Sequence, residues 1–300
     1  RPATIAADAL RATPDPARLG PAERWLRSRV AATVGAADRA LADFTFGELT
    51  RVLYDSIWGE YCDWALELSK VRLADETLPT ADREATWWTL VEALDTYLRL
   101  LHPVMPFLTE AIWAHLPKAP GDPALLIAAD WPAPGVVDAT AEAETGALLA
   151  LVGVIRNARS EAKLDPAAWL PVDVALPAGL EPAFAALRPA LERLARARPL
   201  AGVDAALIHA HATGGLVVVA GEIEAVVRPV TYPDDETAAR DLARLEKELA
   251  DAEGQLGAAR ARLADERFTA KAPPAVVDGV RTREAELATR VARLHARGPA

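Results

Sequence analysis

Leu49, Leu53, Ile57, Tyr61, Trp64 and Leu68 recur at steps of four, four, four, three and four residues. That spacing predicts one helix from Thr45 to about Leu73 with a single buried stripe. Val52, Trp58, Cys62 and Ala65 widen the apolar arc, so more than one neighbour must pack on it. Thr45 with Glu48 reads as a capping box, and Phe44 with Leu49 as the hydrophobic staple around it. A helix before it begins at Pro21 and carries Leu26, Val30, Val34, Ala37 and Leu41 on one face. After Leu78-Pro79-Thr80 a third helix turns Trp87, Val91, Leu94, Leu98 and Leu101 inward, and His102-Pro103-Val104-Met105-Pro106 stops it. Pro106 suits the first turn of a fourth helix, through Ile112 and Trp113 to Leu116. Four helices with short links predict an antiparallel bundle. A proline-rich connection from Gly121 to Pro134 leads to a further helix, Ala141 to about Lys163, with Leu148, Leu151, Val152 and Ile155 inward.

The period then changes. Val172 to Leu176 alternates as a strand does, Glu181 to Arg198 is helical, and Ala206–Ala210, Leu216–Ala220 and Glu224–Val230 read as strands, with Gly214-Gly215 as a hairpin signal. This predicts a small α+β unit. Beyond Pro233-Asp234-Asp235, the residues Leu242, Leu245, Leu249, Ala252, Leu256, Ala259 and Leu263 form an a/d heptad seam. Prolines at 273 and 274 break it, and Val277, Val280, Leu287, Val291 and Leu294 resume it with Glu284 interrupting. Two heptad helices joined at a proline turn predict an antiparallel coiled-coil hairpin, its longer arm on the order of 40 Å at ~1.5 Å per residue. The expected fold class is therefore mainly α: a helical bundle (21–165), a small α+β linker unit (166–233) and a coiled-coil arm (234–300). Residues 1–20, rich in alanine and proline, are expected to be a frayed connection to something upstream.

Composition narrows the function. At 51% hydrophobic over 300 residues the chain can bury a sizeable core. The first residue is Arg1 and the single methionine is Met105, so the sequence reads as a piece of a longer protein. No signal peptide and no run of about 18 apolar residues is present, which points to the cytoplasm and away from a membrane. One cysteine excludes a disulfide framework and a cysteine-based zinc site. His209 and His211 alternate to one strand face without a third ligand nearby, so no metal is expected. The net charge of −10 argues against a general nucleic-acid binder, so any RNA-binding reading must identify a local basic face. One lies beyond Arg260, where Arg260, Arg262, Arg267, Lys271, Arg281, Arg283, Arg290, Arg293 and Arg297 outnumber Asp265, Glu266, Asp278, Glu284 and Glu286. Arg156, Arg159 and Lys163 fall at helical steps on one face; either Glu161 or a neighbouring acid pairs with them, or they meet RNA. Seven of the eight tryptophans precede residue 132, as core filling or as rings for base stacking, with Trp25 and Trp58 the candidates for the latter because both sit off their stripes.

Several of these stretches resemble one enzyme family. The run Ile57-Trp58-Gly59-Glu60-Tyr61-Cys62-Asp63-Trp64 followed by Leu66-Glu67-Leu68-Ser69-Lys70 resembles the anticodon-binding helical domain of valyl-tRNA synthetases. Leu100-Leu101-His102-Pro103-Val104-Met105-Pro106-Phe107-Leu108-Thr109-Glu110 with Ile112-Trp113 is similar to a segment shared by the valine, isoleucine, leucine and methionine enzymes. Ile155-Arg156-Asn157-Ala158-Arg159-Ser160-Glu161 resembles the segment after the bundle in valyl enzymes. Phe268-Thr269-Ala270-Lys271-Ala272-Pro273 inside a heptad hairpin resembles their C-terminal arm in bacteria.

The resemblance implies the tRNA-binding portion of a ligase that joins valine to tRNA(Val) with ATP and magnesium. The His-x-Gly-His and Lys-Met-Ser-Lys-Ser signatures of its chemistry are not in this sequence. No catalytic residue, cofactor or metal is therefore assigned to this chain, and the catalytic and editing domains are expected elsewhere. It implies roles for cations too: Arg24 and Arg27 at anticodon-loop phosphate, Arg156, Arg159 and Lys163 at the stem, and Arg260, Lys271, Arg281 and Arg283 along the tRNA elbow. Two rivals stand beside it. A sister synthetase is disfavoured by the missing cysteine pairs and by the turn at Lys271-Ala272-Pro273. An adaptor dimerising through its heptads is disfavoured by the internal proline turn, which makes a monomer the expectation.

Overall fold

The computed structural model describes residues 2–6, 8–208, 215–228, 235–264 and 274–295. They form two compact units, Arg1–Pro229 and Val230–Ala300.

In the first unit, helix α1 (Pro21–Ala42) packs against α2 (Phe46–Tyr54), α4 (Thr80–Leu101) and α6 (Ala139–Glu161). Helix α2 runs without a break into a widened π-helical stretch, Asp55–Ala65, and on into α3 (Leu66–Ala74). The expected single helix is therefore present, but its middle is wound more loosely. The loose winding shifts the buried face: Leu49, Leu53, Ser56, Tyr61, Ala65 and Leu68 point inward, whereas Ile57 and Trp64 are only half-buried.

The start of α2 differs from expectation as well. Thr45 makes no side-chain cap; its hydroxyl donates to the Ala40 carbonyl, and Glu48 pairs with Arg51 instead. Phe44 sits at φ 54° just past the end of α1, 78% exposed, so it forms no staple; the Thr45 N–H reaches back to Ala40 and closes the α1 terminus.

Helix α4 is buried nearly all round and ends at Leu101, with Pro106 opening α5 (Pro106–Trp113) as expected. That fourth helix is a two-turn stub rather than a bundle member. Trp113 is fully buried against Leu98 and Leu126, while Phe107 is 92% exposed. The fourth long helix is α6, capped by Asp138, whose carboxylate accepts from Ala141 N–H at 2.9 Å. Just before it, Gly135 runs so close to α1 that a Cβ there would lie 2.8 Å from Ala31 Cβ.

Polar groups join these helices at their seams. Arg29 of α1 donates through Nε to Glu60 at 2.9 Å and through Nη1 to Glu142 at 3.1 Å, bridging the π stretch and α6. Ser28 holds the other Glu142 oxygen at 2.7 Å. The Ser56 hydroxyl lies 2.7 Å from Thr33 Oγ1 and 2.9 Å from Tyr97 Oη, and donates to Glu60, so α1, the π stretch and α4 share one hydroxyl cluster. Burial pushes the Tyr97 phenol up to about 12 and raises Tyr61 as well. The hydrogen bond to Glu60 leads the causes that raise the Arg29 guanidinium above its ordinary value.

The N-terminal stretch is laid onto the bundle rather than frayed. Ile5 is buried against Trp88 and Val91, Thr4 donates to Glu84, and Arg11 meets Asp95 at 2.6 Å.

The α+β unit shares the bundle's core, because α6 packs on α7 (Glu181–Ala195) and on the sheet. Its strands β1 (Leu170–Ala175), β2 (Ala197–Gly202), β3 (Leu216–Ala220) and β4 (Ile223–Val227) lie in the order β2-β1-β4-β3. The β1/β2 pair is parallel across α7, and the other two pairs are antiparallel. Strand β2 was not expected, since Pro199 interrupts its pattern; it occupies an edge of the sheet, where a missing N–H is tolerated. Ala205–Ile208, where the strand expected from Ala206 would begin, is a short helix, α8, and a tight hairpin at Gly221 (φ 60°) joins β3 to β4. His209, His211 and Gly214 lie outside the described residues.

In the second unit α9 (Asp235–Ala264) packs along α10 (Pro274–His295). Ala252 and Leu256 from the expected seam are buried, as are Val277 and Leu287, and Ala259, Leu263, Val280 and Val291 are half-buried. Arg260 pairs with Glu284 across the two helices at 2.8 Å, which accounts for the break that Glu284 makes in the heptads.

Two outcomes follow from the partly buried polar seam. Arg29→Ala leaves Glu60 and Glu142 facing each other without their cation, and is expected to destabilise the unit by about 2 kcal/mol, read as a lower midpoint in urea. Tyr97 and Tyr61 remain neutral in the fold while an unfolded phenol ionises from its ordinary 10.0. Their contribution to stability is thus intact below pH 10 and lost as pH rises toward 12, by about 1.4 kcal/mol per pH unit per tyrosine. In a Tyr54→Phe/Tyr232→Phe variant, whose remaining phenols are Tyr61 and Tyr97, phenolate absorbance is expected to appear together with the loss of helical circular dichroism, not before it.

Candidate nucleic-acid interface

A chain of −10 net charge needs cations gathered locally if it is to hold RNA. Arg24 and Arg27, on the first turns of α1, point to different neighbours. Arg24 faces Glu144 of α6 at 3.6 Å and Arg27 faces Glu92 of α4 at 3.7 Å. Both are half-exposed and both pairs are long, so they hold their partners weakly and remain open to a stronger anion.

Arg156, Arg159 and Lys163 do not share one face. Helix α6 ends at Glu161, and Lys163 lies beyond it in the left-handed conformation at φ 53°. Arg159 is buried and donates to the carbonyls of Ala195 and Arg196 through Nη1 and of Asp165 and Ala168 through Nη2. It therefore ties α6 to the α7–β2 corner and is withdrawn from the RNA-facing set. Burial, then the neighbouring Arg196 charge, holds its guanidinium below the ordinary value. Arg156 is exposed, with Nε donating to the Leu194 carbonyl at 2.9 Å and its Cζ 5.5 Å from the centre of the Trp64 ring.

Cations missed by the sequence reading complete this corner. Arg193 and Arg196 are exposed at the end of α7, and Arg196 and Arg198 place Cζ 5.4 Å and 4.5 Å from the Trp169 ring centre. The sequence signal was available in Arg193, Arg196 and Arg198 at short spacing. It went unused because the segment reads as one helix, which would scatter the three around its axis.

On the second unit, Arg260, Arg281 and Arg283 are exposed. Arg260 is engaged with Glu284. Lys271 lies outside the described residues.

The aromatic candidates divide. Trp25 is 5% exposed and belongs to the core, which removes it as a stacking ring, whereas Trp58 is 59% exposed. Trp58 and Tyr54 border an apolar groove of about 310 Å³ with Val104 and Met105. Phe44 and Phe46 meet edge to face, ring centres 6.4 Å apart, and both are exposed. Among the described residues no three histidine, cysteine or carboxylate side chains converge on a metal-sized site, and no helix is long and apolar enough to cross a membrane.

Residues 23–174 match the anticodon-binding domain of tRNA ligases, and residues 239–297 match the tRNA-binding arm of valyl-tRNA synthetase. Individual relatives agree. A valine–tRNA ligase of Dehalococcoides mccartyi (strain 195) is 36% identical over 282 residues, covering 91% of this chain and 31% of the relative. Those of Nocardia farcinica and Caulobacter vibrioides are 38% and 36% identical, covering 95% and 92% of this chain and 30% of each relative. The chain thus spans about 30% of the length of these curated relatives. A bundle and a paired-helix arm, matched in that order within one polypeptide, place this chain in the anticodon-binding family of tRNA ligases, in its valyl-tRNA synthetase branch.

Proposed function

We propose that this chain is the tRNA-holding portion of a valine–tRNA ligase, supplying binding energy and tRNA choice to aminoacylation carried out by domains outside it. The observation that carries the reading is the succession of an anticodon-binding bundle and a tRNA-binding arm in one chain. Binding energy gained far from the reacting bond becomes useful when it positions that bond, here the acceptor end of the tRNA.

Cations and rings divide the work. Arg24, Arg27, Arg156 and Lys163 on the first unit meet phosphate of the anticodon arm. Arg260, Lys271, Arg281 and Arg283 on the paired-helix arm, a coiled-coil hairpin, follow the backbone of the tRNA elbow. Phosphate contacts fix register without reading sequence. Discrimination therefore falls to exposed rings able to stack on unpaired bases, Trp58, Phe44 and Phe46 among them. Phe44 supports this on a second ground: a bulky residue in the left-handed region is strained, and such strain collects at working sites. The partner is tRNA(Val), and the chain acts as a monomer in the cytoplasm.

A titration at fixed salt against tRNA(Val), and against the same tRNA with a changed anticodon, tests the reading. Tighter binding of the first is expected; equal binding would remove anticodon recognition from it. Trp58→Ala is expected to weaken binding of tRNA(Val) by about 1–3 kcal/mol with an unchanged melting temperature. Sedimentation separates the adaptor reading, which requires a stable dimer, from the monomer expected here.

A further inference from the structure

The corner where α6, α7 and the sheet meet holds a cluster of exposed cations with few carboxylate partners. Arg156, Arg193 and Arg196 line a depression of about 390 Å³, with Trp169 as part of its wall. Arg198 stands beside the same ring, and Arg159 lies beneath with its guanidinium burdened by the Arg196 charge. Among the described residues, no carboxylate pairs with Arg156, Arg193 or Arg196; Arg198 has Glu192 at 3.3 Å. The acids at the rim are Asp63 and Glu67, and Glu67 is already bridged to Lys70.

Like charges brought together in this way repel. The negative C-terminal end of α7 offsets part of that at Arg193 and Arg196. Conformation also holds the cluster in place. Arg196 caps α7 at φ 52°, ψ 43°, and rings orient the heads of Arg156, Arg196 and Arg198. Exposed guanidiniums that are fixed, crowded and short of carboxylate partners form a ready receptor for an extended polyanion.

We infer that Arg156, Arg193, Arg196 and Arg198 around Trp169 form a further RNA-backbone contact, one that engages successive phosphates of a bound tRNA from the α+β unit. The inference rests on the tRNA-binding reading above and extends it. Arg193, Arg196 and Arg198 fall between the stretches matched to the anticodon-binding domain and to the tRNA-binding arm, so neither assigns them a role. The contact carries affinity and salt dependence, not base choice.

The test compares the full chain with Arg193→Ala/Arg196→Asn, asparagine being chosen because it tolerates the left-handed backbone at 196. Binding of tRNA(Val) is titrated from 0.05 to about 0.3 M potassium chloride. About tenfold weaker binding is expected near 0.15 M, with a log–log salt slope shallower by about 1.4–1.8 units, the value for two lost phosphate contacts. Arg193→Lys/Arg196→Lys keeps the charge and is expected to restore most of the affinity. A charge-free variant that binds like the wild type with the same slope overturns the inference while leaving the tRNA-binding reading intact. A loss that lysine does not repair also overturns it, because the effect would then be structural. A wild-type chain that fails to bind tRNA at all removes both.

Discussion

Arg29 is the tie on which the bundle's arrangement depends. It reaches from α1 to a carboxylate in the π-helical stretch and to another on α6, so three elements distant in sequence are set by one guanidinium. A planar group with several fixed donors suits that task, whereas an ammonium is a compact point charge without the fork geometry. The Ser56 hydroxyl cluster continues the tie to α4 through Tyr97. Apolar packing alone tolerates sliding along a helix. A connected set of buried and partly buried hydrogen bonds does not, and the loosened winding between Asp55 and Ala65 is the backbone conformation that brings Ser56 and Glu60 to their partners.

This also explains which parts of the fold could be read in advance. Long stripes such as that of α1 and the heptad seam through Ala252 and Leu256 were legible, because a helix repeats its geometry and the sequence repeats with it. The π stretch was not, since a rule built on 3.6 residues per turn assigns Ile57 and Trp64 to the inside, where Ser56 and Ala65 sit instead. Strand β2 was hidden by Pro199, which is compatible with a strand only at an edge, and edges belong to the assembled sheet. The Thr45 capping box failed for a similar reason: the hydroxyl found the Ala40 carbonyl once the α1 terminus had folded beside it.

The candidate interface was less legible than the fold. A cation's availability depends on whether a distant carboxylate or carbonyl reaches it, and sequence spacing is silent on that. Arg159 looked like a neighbour of Arg156 on one helical face, yet it faces the corner and holds four carbonyls there. Arg193 and Arg196 read as ordinary helix surface, but the helix stops between them, so Arg193 in its last turn and Arg196 just past it stand among other cations. The acidic total is no obstacle to RNA binding in such a chain, because over distances longer than about 8 Å salt screens charge and only nearby groups are felt.

The sheet border formed by β2 has a consequence for how the protein behaves in crowded solution. An open strand ordinarily offers alternate N–H and C=O groups to any passing extended segment, and fibrous growth starts from such templates. Pro199 removes one donor from that row, and the pairing of β2 with β1 slips out of register between Leu170 and Val172. A visiting strand would meet an interrupted ladder, so this flank discourages self-association without a covering helix.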